Sequence, residues 1–499
     1  MSVASRAPIE ILGEIFLILR DKPIALHDLK NSSHFDEFPW AVKQLCSHWR
    51  SAFLSYPALW TSLSLENPEF KQPSPRAPYV AEMNRRTAIY LKRSKQHALT
   101  ITVRASNPCL STMWIKLLSC SNRWKKAYLW IENESVLDGL VGRRGEMRIL
   151  ESLRVILTEF KGQMDPMAFE IAPRLTELEF KHWARMAEWT RRRWTFPWIQ
   201  LSKLRLEVAS LDFTCGKTFR TFLLQIQNVE ELRLLLTYSH ARFGYFKCPS
   251  VRFPRLRLLE ISFSSPGVLS WFEAPLLDHL LLHDTCRDDA GSNDHIEELS
   301  SFLHRSSCCV RCLTFQGCDI DVSRDIIEEL KVGVEELCVG EMVEALWGDF
   351  LDFVRDMIQS YDIHLPKLRV FQVECCPEHF QELIPKGSFF DEDFGVPLEK
   401  LIVAVDGNNC GSDSCQYDVG STAIDNALNA ICRWPSFSVV CLNYDQRNLV
   451  LTLHALVASA VVDLTIYYPK DPKVHRYCSE ESCRHYNILL ENKRLAVHT

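Results

Sequence analysis

The strings Leu175–Phe180 (LTELEF), Leu201–Leu206 (LSKLRL), Val229–Leu234 (VEELRL) and Leu256–Ile261 (LRLLEI) share one pattern, apolar-x-x-apolar-x-apolar. Its last three positions alternate apolar, polar and apolar, the period of a half-buried strand. Moving outward, the pattern recurs at Trp124/Ala127/Leu129 and Leu150/Leu153/Val155 on the amino side. On the carboxyl side it recurs at Leu277/Leu280/Leu282, Val310/Leu313/Phe315, Val334/Leu337/Val339, Leu368/Phe371/Val373 and Leu398/Leu401/Val403. Leu99/Ile101 opens the series, and Val439/Leu442/Tyr444 and Val461/Leu464/Ile466 are weaker late copies. With the middle slot as the beat, the first six steps from Leu99 are 28, 26, 25, 26, 28 and 27 residues. Unrelated strands would not keep time within three residues over 160 positions, so this is a repeat. Later steps of 33, 34, 30 and 41 residues place insertions on loops.

The step length falls in the range of leucine-rich repeats, roughly 20 to 29 residues. Where such repeats often carry Asn or Cys, this chain has Cys318 and Cys376 but mostly neither, so its copies resemble an irregular, degenerate form. Between beats the apolar period changes to that of a helix. Phe219, Phe222, Leu223 and Ile226 share one stripe, as do Ile296, Leu299, Phe302 and Leu303 after a capping Asn293 or Asp294. Residues 345–358 also read as helix. Strand-helix-strand units of one hand place strands on one side and helices on the other, which predicts a curved α/β solenoid with parallel strands.

Composition sets the class. The 499 residues are 47% hydrophobic and 24% charged, ordinary for a globular chain. With 18 glycines and neither GxGxxG nor GxxxxGK[ST], the chain lacks the usual phosphate loops. A formal net charge of −6 argues against nucleic acid as the chief partner. Glu10 and Glu14 interrupt any secretory h-region, and no apolar run approaches a membrane span, so neither is expected. The 19 cysteines are too dilute for a disulfide scaffold, which points to reduced thiols in the cytoplasm or nucleus.

Ahead of the repeats lie two apolar stripes. Pro8 opens a segment in which Ile9, Leu12, Ile15, Phe16 and Leu19 fall on one face of a helix. Val42, Leu45, Cys46, Trp49 and Phe53 make a second stripe, ended by Pro57 and followed by Leu59 and Trp60. Neither helix can stay single, because each fully buried large side chain is worth about 1.5–3 kcal/mol.

These residues, "APIEILGEIFLIL" and then "VKQLCSHWRSAFLSYPALWTSLSL", resemble an F-box, particularly the form found in large families of mushroom-type (basidiomycete) fungi. The likeness covers about residues 5–65 and rests on the helix-opening proline, Cys-x-x-Trp-Arg and a closing Pro-x-Leu-Trp. It departs from the family at Ala7-Pro8, where Leu-Pro is usual, and in the mostly polar residues 21–38. The resemblance implies docking to a Skp-type adaptor, and through it to a cullin ubiquitin ligase. Pro8, Ile9, Leu12, Ile15, Phe16, Val42, Leu45, Cys46 and Trp49 would make or support that surface.

The expected organisation is an F-box-like all-α module over 1–65 and a proline-bearing linker and helix over 66–95, with the helix at 79–94. Irregular leucine-rich-like repeats follow over 96–410, then weak repeats or a cap over 411–499. Other clusters have plainer readings. Cys308, Cys309, Cys312 and Cys318, and the pairs Cys410/Cys415 and Cys478/Cys483 with His485, offer loose zinc-ligand spacing, with buried packing the favoured role. Trp183, Trp189, Trp194 and Trp198, interleaved with Arg185, Arg191, Arg192 and Arg193, read first as a helix covering the core and second as a protein-binding patch. The acidic stretch from Asp284 to Glu298 reads as a solvated loop and helix cap. No HExxH, GxSxG or framed Cys/His pair appears, so the expectation is a binding protein without catalysis, cofactor or metal. It would recruit an unknown protein target to a ligase; the competing reading is a repeat scaffold whose amino-terminal helices only cap the repeats.

Overall fold

The described apolar triads become parallel strands that pair in sequence order within each unit; Val461/Leu464/Ile466 lies outside the described residues. The computed structural model describes residues 7–19, 24–25, 46–66, 77–105, 111–132, 139–140, 142–158, 167–182, 196–208, 216–236, 249–262, 267–283, 293–316, 320–330, 333–340, 365, 367–375, 400–406 and 437–442. The chain divides into two compact units, residues 1–276 with 305–307, and residues 277–304 with 308–499.

In the first unit the strands are β1 (Ile24–Ala25), β2 (Ser62–Glu66), β3 (Leu99–Ala105), β4 (Trp124–Ile131), β5 (Ser152–Leu157), β6 (Glu177–His182), β7 (Lys203–Val208) and β8 (Glu231–Leu236). A short strand β9 (Val251–Arg252) pairs separately with β11 (Phe272–Glu273), while β10 (Leu258–Ser262) continues the main sheet beside β8. In that sheet Leu63, Ile101, Ala127, Leu153, Leu178, Leu204, Leu232 and Leu259 stand opposite one another in turn. The second unit repeats the arrangement with β12 (His279–His283), β13 (Cys312–Gln316), β14 (Glu336–Gly340), β15 (Val370–Cys375), β16 (Lys400–Asp406) and β17 (Phe437–Leu442). There Leu280, Leu313, Leu337, Phe371, Leu401 and Phe437 are aligned.

Burial explains why the register holds. Every triad from Trp124/Ala127/Leu129 to Val334/Leu337/Val339 is buried, and a slip of one residue would turn each of these side chains to the opposite face. The backbone reinforces the pairing with a recurring fork. The carbonyl two residues before each beat accepts two amides from the next strand: Glu151 O takes Thr176 N at 3.0 Å and Glu177 N at 3.1 Å. Thr176, Ser202 and Glu230 repeat the fork in the first unit, and Asp278, Arg311 and Glu335 in the second. Each fork gives a carbonyl two donors and locks neighbouring copies at the same height.

The two ends of the beat series differ from expectation. Ala127 faces Ile101 rather than Leu99, because the pairing shifts between Leu99 and Thr100. Phe437, not Leu442, faces Leu401, while Leu442 faces Asp406. An earlier copy also exists: Trp60, Leu63 and Leu65 are buried and β2 pairs with β3, so the end of the expected helical module is a strand of the sheet. It escapes the count because the step from Leu63 to Ile101 is 38 residues, long enough to contain the helix Ala77–Arg93. Likewise Ile24 and Ala25, within the polar connection 21–38, pair with Leu63 and Ser64.

The described helices are α1 (Ile9–Leu19), α2 (Ser47–Ser55), α3 (Ala77–Arg93), α4 (Ser111–Leu118), α5 (Gly216–Gln225), α6 (Asn293–Ser306) and α7 (Ile320–Leu330). α3, α5 and α6 fall where the periodicity places them; α7 was not anticipated. The described turns Met167–Phe169, ahead of β6, and Trp198–Gln200, ahead of β7 with Pro197 at its N-cap, are 3-10. The helix read at 345–358 lies outside the described residues.

Candidate functional site

α1 is apolar nearly all round, IEILGEIFLIL, and a helix of that kind needs partners on two sides. The first partner is α2. Leu12 and Phe16 are 1% and 0% exposed, and the Phe16 ring meets Trp49 edge-on at 5.6 Å and Phe53 at 6.1 Å. Phe53 continues to Trp60 at 5.0 Å, whose indole N–H donates to the Phe53 carbonyl at 3.2 Å, and Trp60 meets Tyr90 of α3 at 5.0 Å. Arg93 lies 4.5 Å over the Trp60 ring. One line of aromatic rings thus ties the helix pair to the start of the sheet.

Two polar contacts fix the angle of α1. The Tyr56 hydroxyl donates to Glu14 Oε1 at 2.5 Å, and this bond to a carboxylate raises the phenol above its ordinary pKa. The His48 ring nitrogen Nε2 lies 2.8 Å from the Ala7 carbonyl. Gly13 is where α1 passes closest to Tyr56: a Cβ there would sit 2.6 Å from two ring carbons and 2.7 Å from Cγ.

The structure divides the expected partner-binding set by role. Leu12 and Phe16 are core. Pro8, Ile9 and Ile15 are exposed, and Trp49 is half-buried against Phe16. Cys46 is an N-cap: its backbone is extended, its Sγ accepts the Trp49 amide at 3.5 Å, and α2 begins at Ser47. The single helix expected from Val42 to Phe53 therefore starts later; Val42 and Leu45 lie outside the described residues. The surface itself is Pro8, Ile11, Ile15 and Ile18, spaced three, four and three residues apart, with Ile11 54%, Ile15 39% and Ile18 79% exposed. Ile11 and Ile18 were missed because the stripe through Leu12 and Phe16 absorbed the apolar count. The available signal was the excess of isoleucine on the remaining face.

Among the described residues, the sheet face opposite the triads also keeps solvent exposure. Along β4 the buried residues Ala127, Leu129 and Ile131 alternate with Lys126, Tyr128 and Trp130, which keep solvent exposure. Charges are shared between strands there: Glu179 Oε2 is 3.3 Å from Arg154, Glu179 Oε1 is 3.7 Å from Lys181 and 3.8 Å from Arg205, and Lys181 reaches Glu207. Arg233 pairs at 2.7 Å with the buried Glu260.

Of the tryptophan-arginine segment, Trp198 is described; it packs edge-on against Phe196 at 5.1 Å and Phe222 at 5.3 Å, a packing role. Trp183, Trp189, Trp194 and their arginines lie outside the described residues, as do Cys318, Cys410, Cys415, Cys478, Cys483, His485 and residues 284–292. Among the described residues no group of three or more His, Cys, Asp and Glu is placed to hold a metal. Burial pushes the Cys308 thiol up to about 11, and burial with the adjacent Glu336 takes Cys312 to about 12. No described helix is long and apolar enough to cross a membrane. No family model and no curated protein matches the chain.

Proposed function

We propose that this chain is a target-recruiting subunit of a cullin-type (SCF) ubiquitin ligase, with the α1–α2 pair as an F-box-like element and the sheet as part of a leucine-rich-repeat solenoid. The observation that carries the reading is the exposed stripe Pro8, Ile11, Ile15 and Ile18 on a helix whose other face is already used. Leaving isoleucine in water forgoes roughly 1.5–3 kcal/mol per side chain, a cost that a docked adaptor would recover. Parallel strands added one per repeat suit the second half of the proposal, because solenoid copies pack only on their neighbours and present a long binding surface. The chain would perform no chemistry. Its contribution would be proximity, raising the effective concentration of a target's lysines near the conjugating enzyme, in the cytoplasm or nucleus.

A scaffold reading, with α1 and α2 as a cap, draws support from the unbroken aromatic line Phe16–Phe53–Trp60–Tyr90. Co-purification separates the two. Leu12→Asp is a poor probe, since Leu12 is core and its loss would unfold α1 under either reading. Ile11→Asp/Ile18→Asp changes only exposed positions. Recovery of a Skp-type adaptor with the wild type and its loss with the double variant supports the ligase subunit; a folded wild type that recovers none leaves the scaffold.

A further inference from the structure

We propose that the β3–β5 part of the open sheet face is a docking site for an acidic, extended segment of a partner protein. Nine outward positions face one another here: 100, 102 and 104 on β3, 126, 128 and 130 on β4, and 152, 154 and 156 on β5. They hold three cations, Arg104, Lys126 and Arg154, two aromatics, Tyr128 and Trp130, and no carboxylate. In a chain with a net charge of −6, such a patch is a local reversal of sign.

The cations are accessible and incompletely neutralised. Arg104 and Arg154 are 44% and 40% exposed, and Lys126 is exposed. Arg104 has Glu132 only at 3.9 Å, and Arg154 shares Glu179 with Lys181 and Arg205. The Arg104 guanidinium lies 4.2 Å over the Trp130 ring, which holds it flat and leaves its donors free to meet a carboxylate. Arginine and aromatic side chains on a rigid strand face are the composition of interface anchors. Along each strand the outward side chains repeat about every 6.6 Å, the spacing of alternate side chains in an extended peptide lying along the strands. Arginine interleaved with aromatics can also hold single-stranded nucleic acid. Here Glu132, just past the end of β4, and Glu179, on the neighbouring β6, border the patch and would repel a continuous phosphate backbone, whereas a peptide can place its carboxylates selectively.

The inference rests on the reading of the repeat face as the target-holding surface, but its test does not use the adaptor. A fluorescein-labelled 12-residue peptide in which Glu alternates with Ser around one Tyr would be titrated with the full-length chain by anisotropy, alongside a Lys-rich peptide and a single-stranded RNA. The expected result is saturable binding of the acidic peptide that weakens with salt. Arg104→Glu/Arg154→Glu and Trp130→Ala should each weaken it at least tenfold, while the thermal transition and adaptor co-purification stay as in the wild type. Lys126→Glu, at an exposed position, keeps the test open if the double variant fails to fold. Absence of acidic-peptide binding, equal binding by the variants, or tighter binding of the RNA would overturn the proposal. Adaptor loss with the peptide still bound would instead sink only the ligase reading.

Discussion

Phe16 is the residue on which the division of α1 into a packed and an exposed face depends. It is fully buried, with its ring against Trp49 and Phe53, and replacing it by alanine leaves a cavity that neighbouring rings cannot fill. Truncating a buried phenylalanine costs about 3–5 kcal/mol. A global melt averages over both compact units and would not locate the loss. Hydrogen exchange read by mass spectrometry resolves it, because protection reports the local opening free energy. At roughly 1.4 kcal/mol per factor of ten, amides of α1 and α2 should lose about 10²- to 4 × 10³-fold of protection, or all they have if their opening energy is smaller. Ile18→Ala, at a position 79% exposed, should change it by no more than about two- to threefold. If Phe16→Ala behaves like Ile18→Ala, or loosens β6 and β7 as much as α1, the assignment of faces is wrong.

Three further outcomes follow from local geometry. Gly13→Ala should destabilise α1: overpacking against the Tyr56 ring costs about 1–3 kcal/mol, more than the gain of up to about 1 kcal/mol from helix propensity, and greater protection in the variant would contradict the contact. Iodoacetamide at about pH 8 should alkylate the exposed Cys309 ahead of Cys308 and Cys312, whose thiols are held protonated by burial; equal rates at the three would count against it. Arg85, which spans both Glu82 oxygens at 2.7 Å, and Arg86 at 3.0 Å hold the Glu82 carboxyl down to about 2. A depressed carboxylate contributes stability above its unfolded pKa that is lost as pH falls toward the folded one, so the Glu82 carbon resonance should stay flat between about pH 3.5 and 6. A midpoint near the ordinary value, or no upward shift in Arg85→Gln, would refute the pairing.

The repeat was legible because its signal is redundant. From Ala127 to Leu259 and from Leu280 to Leu401, the counted beats are the aligned residues of the sheet, since each buried triad specifies the same register independently. Errors fell where redundancy ends. At Leu99 a pairing irregularity separates the apolar count from the register, and at Leu63 a long helical insertion hides the step. The helix pair was legible as apolar stripes but not by role. Periodicity counts apolar residues without saying whether they face Phe53 or water, so Leu12 and Phe16 were grouped with Ile9 and Ile15, and Ile11 and Ile18 were passed over. Cys46 looked like part of a stripe because sulfur is apolar enough to fit one; its role as a cap depends on a backbone conformation that spacing does not report. The basic-aromatic patch was invisible for another reason: Arg104, Trp130 and Arg154 are about 25 residues apart in sequence, and only strand pairing brings them together.

The central claim is that the exposed isoleucine face of α1 is an adaptor-docking surface. Its most direct test is calorimetric titration of a purified Skp-type adaptor into the full-length chain, wild type against Ile11→Asp/Ile18→Asp, with both confirmed folded by hydrogen exchange. The account predicts a one-to-one complex with the wild type and a loss of at least about 100-fold in affinity with the variant, because two carboxylates would be driven into an apolar contact. A wild type that gives no heat and no complex, or a variant that binds as tightly as the wild type, would contradict it.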